Sequence, residues 1–528
     1  MKDNKLFIHP ILFALYPILE LYFKLSSEIL VLDVFRPLFV AISVSTVLWL
    51  LLRYMVKNGE RAAFIDTLII IFVLYYGAVH HVLWDVSLAG FRIGRHEILI
   101  PFWFLILAFL GSPWVWQKFT NPRFITLFLN ITSATALTFS ILRFGFVRVV
   151  QAQQDEVVTP SVQVTVEPDD FVIQNITSDV DIYYIILDGY GRNDVLSELY
   201  TIDNQEFLDF LDSRGFYIAN ESQANYIQTA LSLASSLNLG YLASSAPESG
   251  SRLPLMQLIN QSRVRQFLEQ QGYQVLAVDS GYGPTKIPNA DSYLTPSSNT
   301  FLNQFEAYLI TNTPLVYWMD KGDFGIVRVG HGENRALVTY AFEQLVEVPQ
   351  LTGPEFVFFH IISPHPPFVL DRNGNFVDPG PPSLVGFLDG DFFRGSTEDY
   401  TVGYYEKLLY TNQQMQIVID AILDNSATPP VIIVQADHGP GALLNWTSPE
   451  QSCLWERTSI LNAYYIPGVD PEVLYPSISP VNSFRVVFNT LFDTQLPLLE
   501  DRSYYSPWAR PYQFVELGPE AQTPCTLP

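Results

Sequence analysis

Apolar positions along the 528 residues fall into two regimes. Before residue 150 they form long, nearly unbroken runs near 6–23, 35–55, 63–84, 98–117 and 124–143. Each run is close to the roughly 20 residues that a helix needs to cross a hydrocarbon core, so the pattern predicts about five transmembrane helices. The first run follows Lys2 and Lys5 but contains Pro17 and Glu20 and lacks a small-residue cleavage site, which predicts a retained helix and not a removed signal peptide. Trp114 and Trp116 close the fourth run as interfacial anchors. His80 and His81 lie near the end of their run, where an interfacial position accounts for them.

Beyond residue 180 the runs shorten and alternate with helical patterns, the signature of an α/β sandwich with a mostly parallel sheet. Strands are predicted at 181–188, 273–279, 355–362, 430–436 and 459–466. Helices are predicted at 203–214, 229–238, 254–271, 333–347, 400–424 and 480–492. The expected organisation is a transmembrane helical domain (1–147), a polar, proline-punctuated linker (148–178) and an α/β domain (179–528).

Charge sharpens this division. Residues 1–150 carry 13 Lys and Arg against 8 Asp and Glu, whereas the remainder carries 16 against 45. So acidic a second part argues against a nucleic-acid partner, because a polyphosphate backbone needs clustered cations. With the amino terminus inside, Lys2, Lys5, Arg53, Lys57, Arg61, Lys118 and Arg123 fall in inner loops and Arg92 and Arg95 outside, a weak positive-inside bias. Five spans then place everything after residue 148 outside the cytoplasm. Cys453 and Cys525 are the only cysteines and show no zinc-like spacing; outside the cytoplasm they could pair, but two lone thiols are the simpler expectation.

Four stretches carry candidate chemistry. The buried-strand run DIYYIILDGYG ends in Asp188 and two glycines, delivering a carboxylate to the carboxyl edge of a sheet. PVIIVQADHGPG ends likewise in Asp437 and His438, and two carboxylates with an imidazole make a mixed oxygen and nitrogen metal site. In NYIQTALSLASSLN, opened by Asn225, Thr229 enters a helix; its hydroxyl is either a cap or a nucleophile favoured by the helix dipole. In HIISPHPPFVLD, His360 reads as a packed, hydrogen-bonded core residue, while His365, between prolines, is placed to protonate a leaving group. His331 and Arg335, in VGHGENR, are further candidates for phosphate contact, with a solvated loop as the plainer account.

In this order the four elements resemble the alkaline phosphatase superfamily, in its sulfatase-like hydrolase and transferase branch, over roughly residues 180–500. The resemblance implies displacement at phosphorus or sulfur through a covalent ester. Sulfatases of this branch use a cysteine converted to formylglycine; the corresponding position here is Thr229, which implies a phosphothreonine intermediate. Two-metal relatives usually take another histidine downstream of the DHG strand, and no histidine follows His438. This favours one divalent ion, manganese, zinc or magnesium, held by Asp188, Thr229, Asp437 and His438.

That layout, with about five helices ahead of an extracytoplasmic catalytic domain, resembles lipoteichoic acid synthases and phosphoethanolamine transferases. The resemblance implies a cell-membrane transferase that moves a phosphoglycerol- or phosphoethanolamine-type group from a phospholipid to a surface glycan or lipid. Those transferases generally carry Glu at the first ligand position; Asp188 followed by Gly looks more like the hydrolases, so a phosphodiesterase or phosphomonoesterase is the alternative. A noncatalytic membrane binding module is a third reading, disfavoured because all four candidate ligands are present.

Overall fold

The computed structural model describes residues 7–25, 32–83, 86–88, 91–119, 121–155, 162–164, 179–245, 247–296, 302, 304–317, 331–348, 353–377, 388–470 and 472–527. The chain forms two compact units, one of residues 1–157, 297–333 and 380–385, the other of 158–296, 334–379 and 386–528.

The first unit is helical: α1 (His9–Leu25), α2 (Leu32–Val56), α3 (Gly59–Leu74), α4 (Tyr76–Leu83), α5 (His96–Leu110), α6 (Pro113–Gln117) and α7 (Pro122–Asp155). Among the described residues, three helices are long and apolar enough to cross a membrane, Leu32–Val56, His96–Gln117 and Pro122–Phe146; counting the bent pair α3–α4 as one span makes four, where the hydropathy pattern predicted about five. The chain is thus an integral membrane protein. The shortfall is α1, whose 17 residues rise about 26 Å, less than a core of about 30 Å. It nonetheless packs along α2, α3 and α7 as a member of the bundle.

The bend between α3 and α4 is 50°, and Asn312 approaches the chain beside it. Gly77 donates its N–H to the Asn312 carbonyl, and a Cβ at Gly77 would lie 2.6 Å from the Asn312 backbone. The helix Gln304–Thr311, which the hydropathy pattern did not foresee, packs in this unit against α2, where Glu306 pairs with Arg36.

Of the expected linker, 148–155 continues α7, Val162–Val164 pairs antiparallel with Leu242–Ser244, and 156–161 and 165–178 lie outside the described residues.

The second unit is built on a seven-stranded sheet of β1 (Ile182–Leu187), β2 (Tyr217–Ile218), β3 (Gln274–Val278), β4 (Ser292–Leu294), β5 (Glu355–Ile361), β6 (Val431–Gln435) and β7 (Asn462–Tyr465), in the order β2-β7-β6-β1-β5-β3-β4. From β6 to β4 every pairing is parallel; β7 and β2 extend the sheet antiparallel. The long apolar run of β1 follows from its central place. Tyr183, Ile185 and Leu187 enter one core layer, and Ile182, Tyr184 and Ile186 enter the layer on the other face. A strand buried on both faces has no polar alternation to show.

Further helices are α8 (Thr229–Ser236), α9 (His331–Glu347), α10 (Thr397–Asn425), α11 (Leu454–Thr458) and α12 (Pro480–Phe492). The helix expected over 254–271 is two, Leu253–Asn260 and Arg263–Gln270, because Ser262 caps a new start. Cys453 and Cys525 form a disulfide with a Cα separation of 6.1 Å, which replaces the expectation of two lone thiols.

Candidate active site

Because β1, β5 and β6 are adjacent and parallel, their carboxyl ends open at one edge, and the residues that follow them meet there. The loops are stitched together by backbone bonds: Asp188 N–H to the Ile361 carbonyl and His365 N–H to the Asp188 carbonyl, both 3.0 Å. The Gly189 N–H donates to Asp437 Oδ1 at 3.2 Å. Gly189 has φ +73°, a conformation that favours glycine, and Gly439 lies so close to the Glu456 carbonyl that a Cβ would stand 2.1 Å from it. Gly189 is therefore required by its left-handed backbone, and Gly439, which follows His438, by the approach of neighbouring chain.

Asp188, Thr229, Asp437 and His438, predicted as one set, are brought together. His438 Nε2 lies 3.1 Å from Thr229 Oγ1, 3.3 Å from Asp437 Oδ2 and 3.5 Å from Asp188 Oδ1. His438 Nδ1 faces the Gly439 carbonyl at 3.0 Å; a carbonyl can only accept, so the proton sits on Nδ1 and the Nε2 lone pair points into the cluster. Burial and the nearby Arg457 guanidinium push the His438 pKa down, keeping the ring neutral. Asp188 Oδ1 and Asp437 Oδ2 are buried with no hydrogen-bond partner. Two bare carboxylate oxygens beside an imidazole lone pair and a hydroxyl are the donor set of a divalent cation, so these residues fit the expected metal.

Thr229 is the first residue of α8, after Gln228 at the cap position, and its hydroxyl does not cap the helix. Its side chain bonds His438 instead, which removes the capping account. His360 is buried and hydrogen-bonded as expected, but its partners give it a place in the site. Nδ1 meets Thr285 Oγ1 at 2.9 Å and Nε2 meets Asp188 Oδ2 at 3.1 Å, so the ring donates to the carboxylate and fixes its orientation. A ligand atom of His360 lies within 4.8 Å of Asp188 and Asp437, and those of His365, His438 and Asp188 form a second such group.

His365 is also in the cluster. Its Nδ1–H donates to the Pro366 carbonyl at 2.6 Å, leaving Nε2 at 3.4 Å from Asp389 Oδ2 and 4.0 Å from Asp188 Oδ1. Burial pushes the His365 pKa down, but Asp188 and Asp389 outweigh it and raise it to about 9. Asp389 itself is buried, pairs with the buried Arg457 and accepts from Tyr400 Oη at 2.9 Å.

Other predicted contacts are placed differently. The Asn225 side chain donates to Ser479, Arg502 and Tyr241 and accepts from the Val481 N–H, so its hydrogen bonds hold α12 and the chain near 502 instead of facing substrate. His331 is buried at the start of α9, and Arg335 is exposed one turn on; neither joins the two ligand groups around Asp188. Asp389, Arg457, Lys407, Tyr400 and Tyr404 were not singled out from sequence. They are single polar residues in unrelated loops or an ordinary amphipathic helix, and only the fold brings them together.

The sulfatase family model matches residues 181–456, which include Asp188, Thr229, His360, His365, Asp389, Asp437 and His438. No curated protein matches the chain. Among solved structures, the chain is similar to the zinc complex of the C-terminal periplasmic domain of EcEptC from Escherichia coli, with 11% identity, 66% of this chain and 94% of that one covered, and TM-score 0.43. It is similar to the integral membrane protein lipooligosaccharide phosphoethanolamine transferase A from Neisseria meningitidis, with 13% identity, coverage of 92% and 94%, and TM-score 0.37. The corresponding figures for the C-terminal periplasmic domain of phosphoethanolamine transferase EptC from Campylobacter jejuni are 12%, 60%, 91% and 0.35.

Proposed function

The chain belongs to the sulfatase family, and from that premise we propose that it is a membrane-anchored phosphotransferase that uses Thr229 as nucleophile and a phospholipid as donor of a phosphoglycerol- or phosphoethanolamine-type group. The observation that carries this is the Thr229 hydroxyl at 3.1 Å from His438 Nε2, beside the bare carboxylate oxygens of Asp188 and Asp437. Both cysteines are joined in the disulfide, so no thiol is available for a formylglycine-type nucleophile.

In this reading Asp188, Thr229, Asp437 and His438 hold one divalent ion, zinc, manganese or magnesium. A bound cation supplies positive charge that acidifies the hydroxyl and neutralises the phosphoryl oxygens. Thr229 Oγ1, having lost its proton to solvent, forms a bond to phosphorus as the bond to the lipid alcohol breaks. His365 gives its Nε2 proton to that departing oxygen, releasing diacylglycerol. In the second half an acceptor hydroxyl passes its proton to His365 and attacks phosphorus, and Thr229 leaves and is reprotonated from solvent.

The catalytic unit is proposed to face outside the cytoplasm, with α1 as a fifth span. The disulfide suits an oxidising compartment. A hydrolase on the same site is the second reading, favoured by the short carboxylate of Asp188 at the first ligand position. Product analysis decides: detergent-solubilised protein with vesicles of labelled phosphatidylglycerol and phosphatidylethanolamine should release diacylglycerol and label an added glycan or lipid acceptor. Free glycerol phosphate or phosphoethanolamine as the sole labelled product would make it a hydrolase. Full turnover by Thr229→Ala would refute the nucleophile.

A further inference from the structure

One face of α10 touches all three loops that carry the catalytic residues. Tyr400, Tyr404, Lys407 and Thr411 follow one another at helical spacing of four, three and four, so they share a stripe, and all are buried. Tyr404 Oη donates to the Gly189 carbonyl and accepts from the Gly191 N–H, both at 3.0 Å, clasping the turn after Asp188. Lys407 Nζ donates to the carbonyls of Ile362 (2.7 Å), His365 (2.6 Å) and Pro367 (3.1 Å). These bonds use all three ammonium donors on the loop that presents His365. Thr411 Oγ1 meets Ser363 Oγ at 2.7 Å in the same loop. Tyr400 Oη accepts from the Gly441 N–H at 2.9 Å, beyond Asp437 and His438, and donates to Asp389, the carboxylate facing His365.

A core helix needs none of this. Leu or Phe at these positions would fill the same volume without the cost of burying a lysine and two phenols. The polar atoms fix the loops in place, and each loop comes from a different strand end.

We propose that the Tyr400, Tyr404, Lys407 and Thr411 face of α10 is the positioning element of the active site, setting the relative placement of Asp188, His365 and the Asp437–His438 pair. None of the four is a catalytic residue. They act through the main chain of the loops, and the inference rests on the phosphotransfer reading only for its activity readout. Because the loops converge on one reacting centre, a displacement of about 1 Å in any of them is enough to cost about 10²-fold in rate.

The test uses full-length protein in detergent with zinc and bis(4-nitrophenyl) phosphate as probe, comparing wild type, Tyr404→Phe, Lys407→Met and Val402→Ala, an exposed control on α10. Hydrogen exchange read by mass spectrometry and thermal melting accompany the kinetics. Tyr404→Phe and Lys407→Met should lower kcat at least about tenfold with KM within about threefold. Exchange should rise in peptides covering 188–193 for the first variant and 362–369 for the second, with little change elsewhere, and Val402→Ala should match wild type. If Lys407→Met does not fold, Tyr404→Phe decides by itself, since it removes one oxygen and keeps the ring. Wild-type kcat and exchange in folded Tyr404→Phe would overturn the proposal. So would exchange that rises evenly across the domain with a lowered melting temperature, which is the mark of a merely structural role. A wild-type enzyme inactive on the probe would count against the phosphotransfer reading and not against this one, which the exchange data then decide.

Discussion

His360 and His438 are both buried imidazoles near Asp188, yet their hydrogen bonds assign them different work. His438 spends its N–H on a backbone carbonyl and turns a lone pair toward the carboxylates, whereas His360 spends its N–H on Asp188. In the proposed metal site the first would be a ligand and the second would orient one. His360→Ala should therefore weaken zinc binding by about 10–100-fold without abolishing it, as measured by calorimetric titration of the metal-free protein. Unchanged affinity would contradict the orienting role.

Asp389 makes a second claim at this scale. Burial pushes its pKa up, but Arg457 and His365 outweigh that and hold it well below the usual carboxylate range. A carboxylate depressed in the fold contributes stability that is complete above its unfolded pKa of about 4 and is lost as pH falls toward the folded value. Asp389→Asn also leaves the Arg457 guanidinium buried without its counter-charge, which costs about 3–5 kcal/mol at neutral pH. Urea midpoints should show a gap between wild type and variant that narrows as pH falls below about 4. A gap that widens in acid would refute the assignment.

Among the elements, the short helix α11 joins the disulfide to the site. Cys453 sits at its cap position; Glu456 accepts the Ala442 and Leu443 N–H groups just beyond the DHG turn, and Arg457 holds Asp389. Cys453 and Cys525 are 72 residues apart, so removing the bridge by Cys453→Ser with Cys525→Ser should cost about 4 kcal/mol through the unfolded chain. The denaturation midpoint checks this, and an unchanged midpoint would contradict it.

The elements also show what the amino-acid pattern could and could not reveal. Strands β1 and β6 were legible because a buried parallel strand is a continuous apolar run, and Asp188 and Asp437 stand where those runs stop. Thr229 was legible as the entry to a helix, but its choice between cap and nucleophile depended on His438, 209 residues away. The two-residue strand Tyr217–Ile218 was invisible, since so short a segment has no period to detect. Asp389, Arg457 and Lys407 gave no signal because their meaning lies in loops they meet only after folding.

For the whole molecule, two regimes of hydrophobicity became two compact units, but the boundary is not a single cut: residues 297–333 group with the helical unit. Hydropathy could not show this, because the helix Gln304–Thr311 is short and carries Glu306, whose partner Arg36 is far away in sequence. Four spans would return the chain to the side of its amino terminus, and α1 as a fifth carries it across. Intact cells should show labelling at a cysteine placed at exposed Val402 with a membrane-impermeant thiol reagent. Labelling only after lysis would put the catalytic unit inside.

The covalent step tests the account most directly. Wild-type protein mixed with phospholipid vesicles and zinc, quenched in acid and digested, should yield a peptide containing Thr229 that is heavier by the phosphoryl headgroup. The adduct should be absent in Thr229→Ala and lost when an acceptor is added before quenching. Lipid turnover that proceeds with Thr229 unmodified, or an adduct on another side chain, would contradict it.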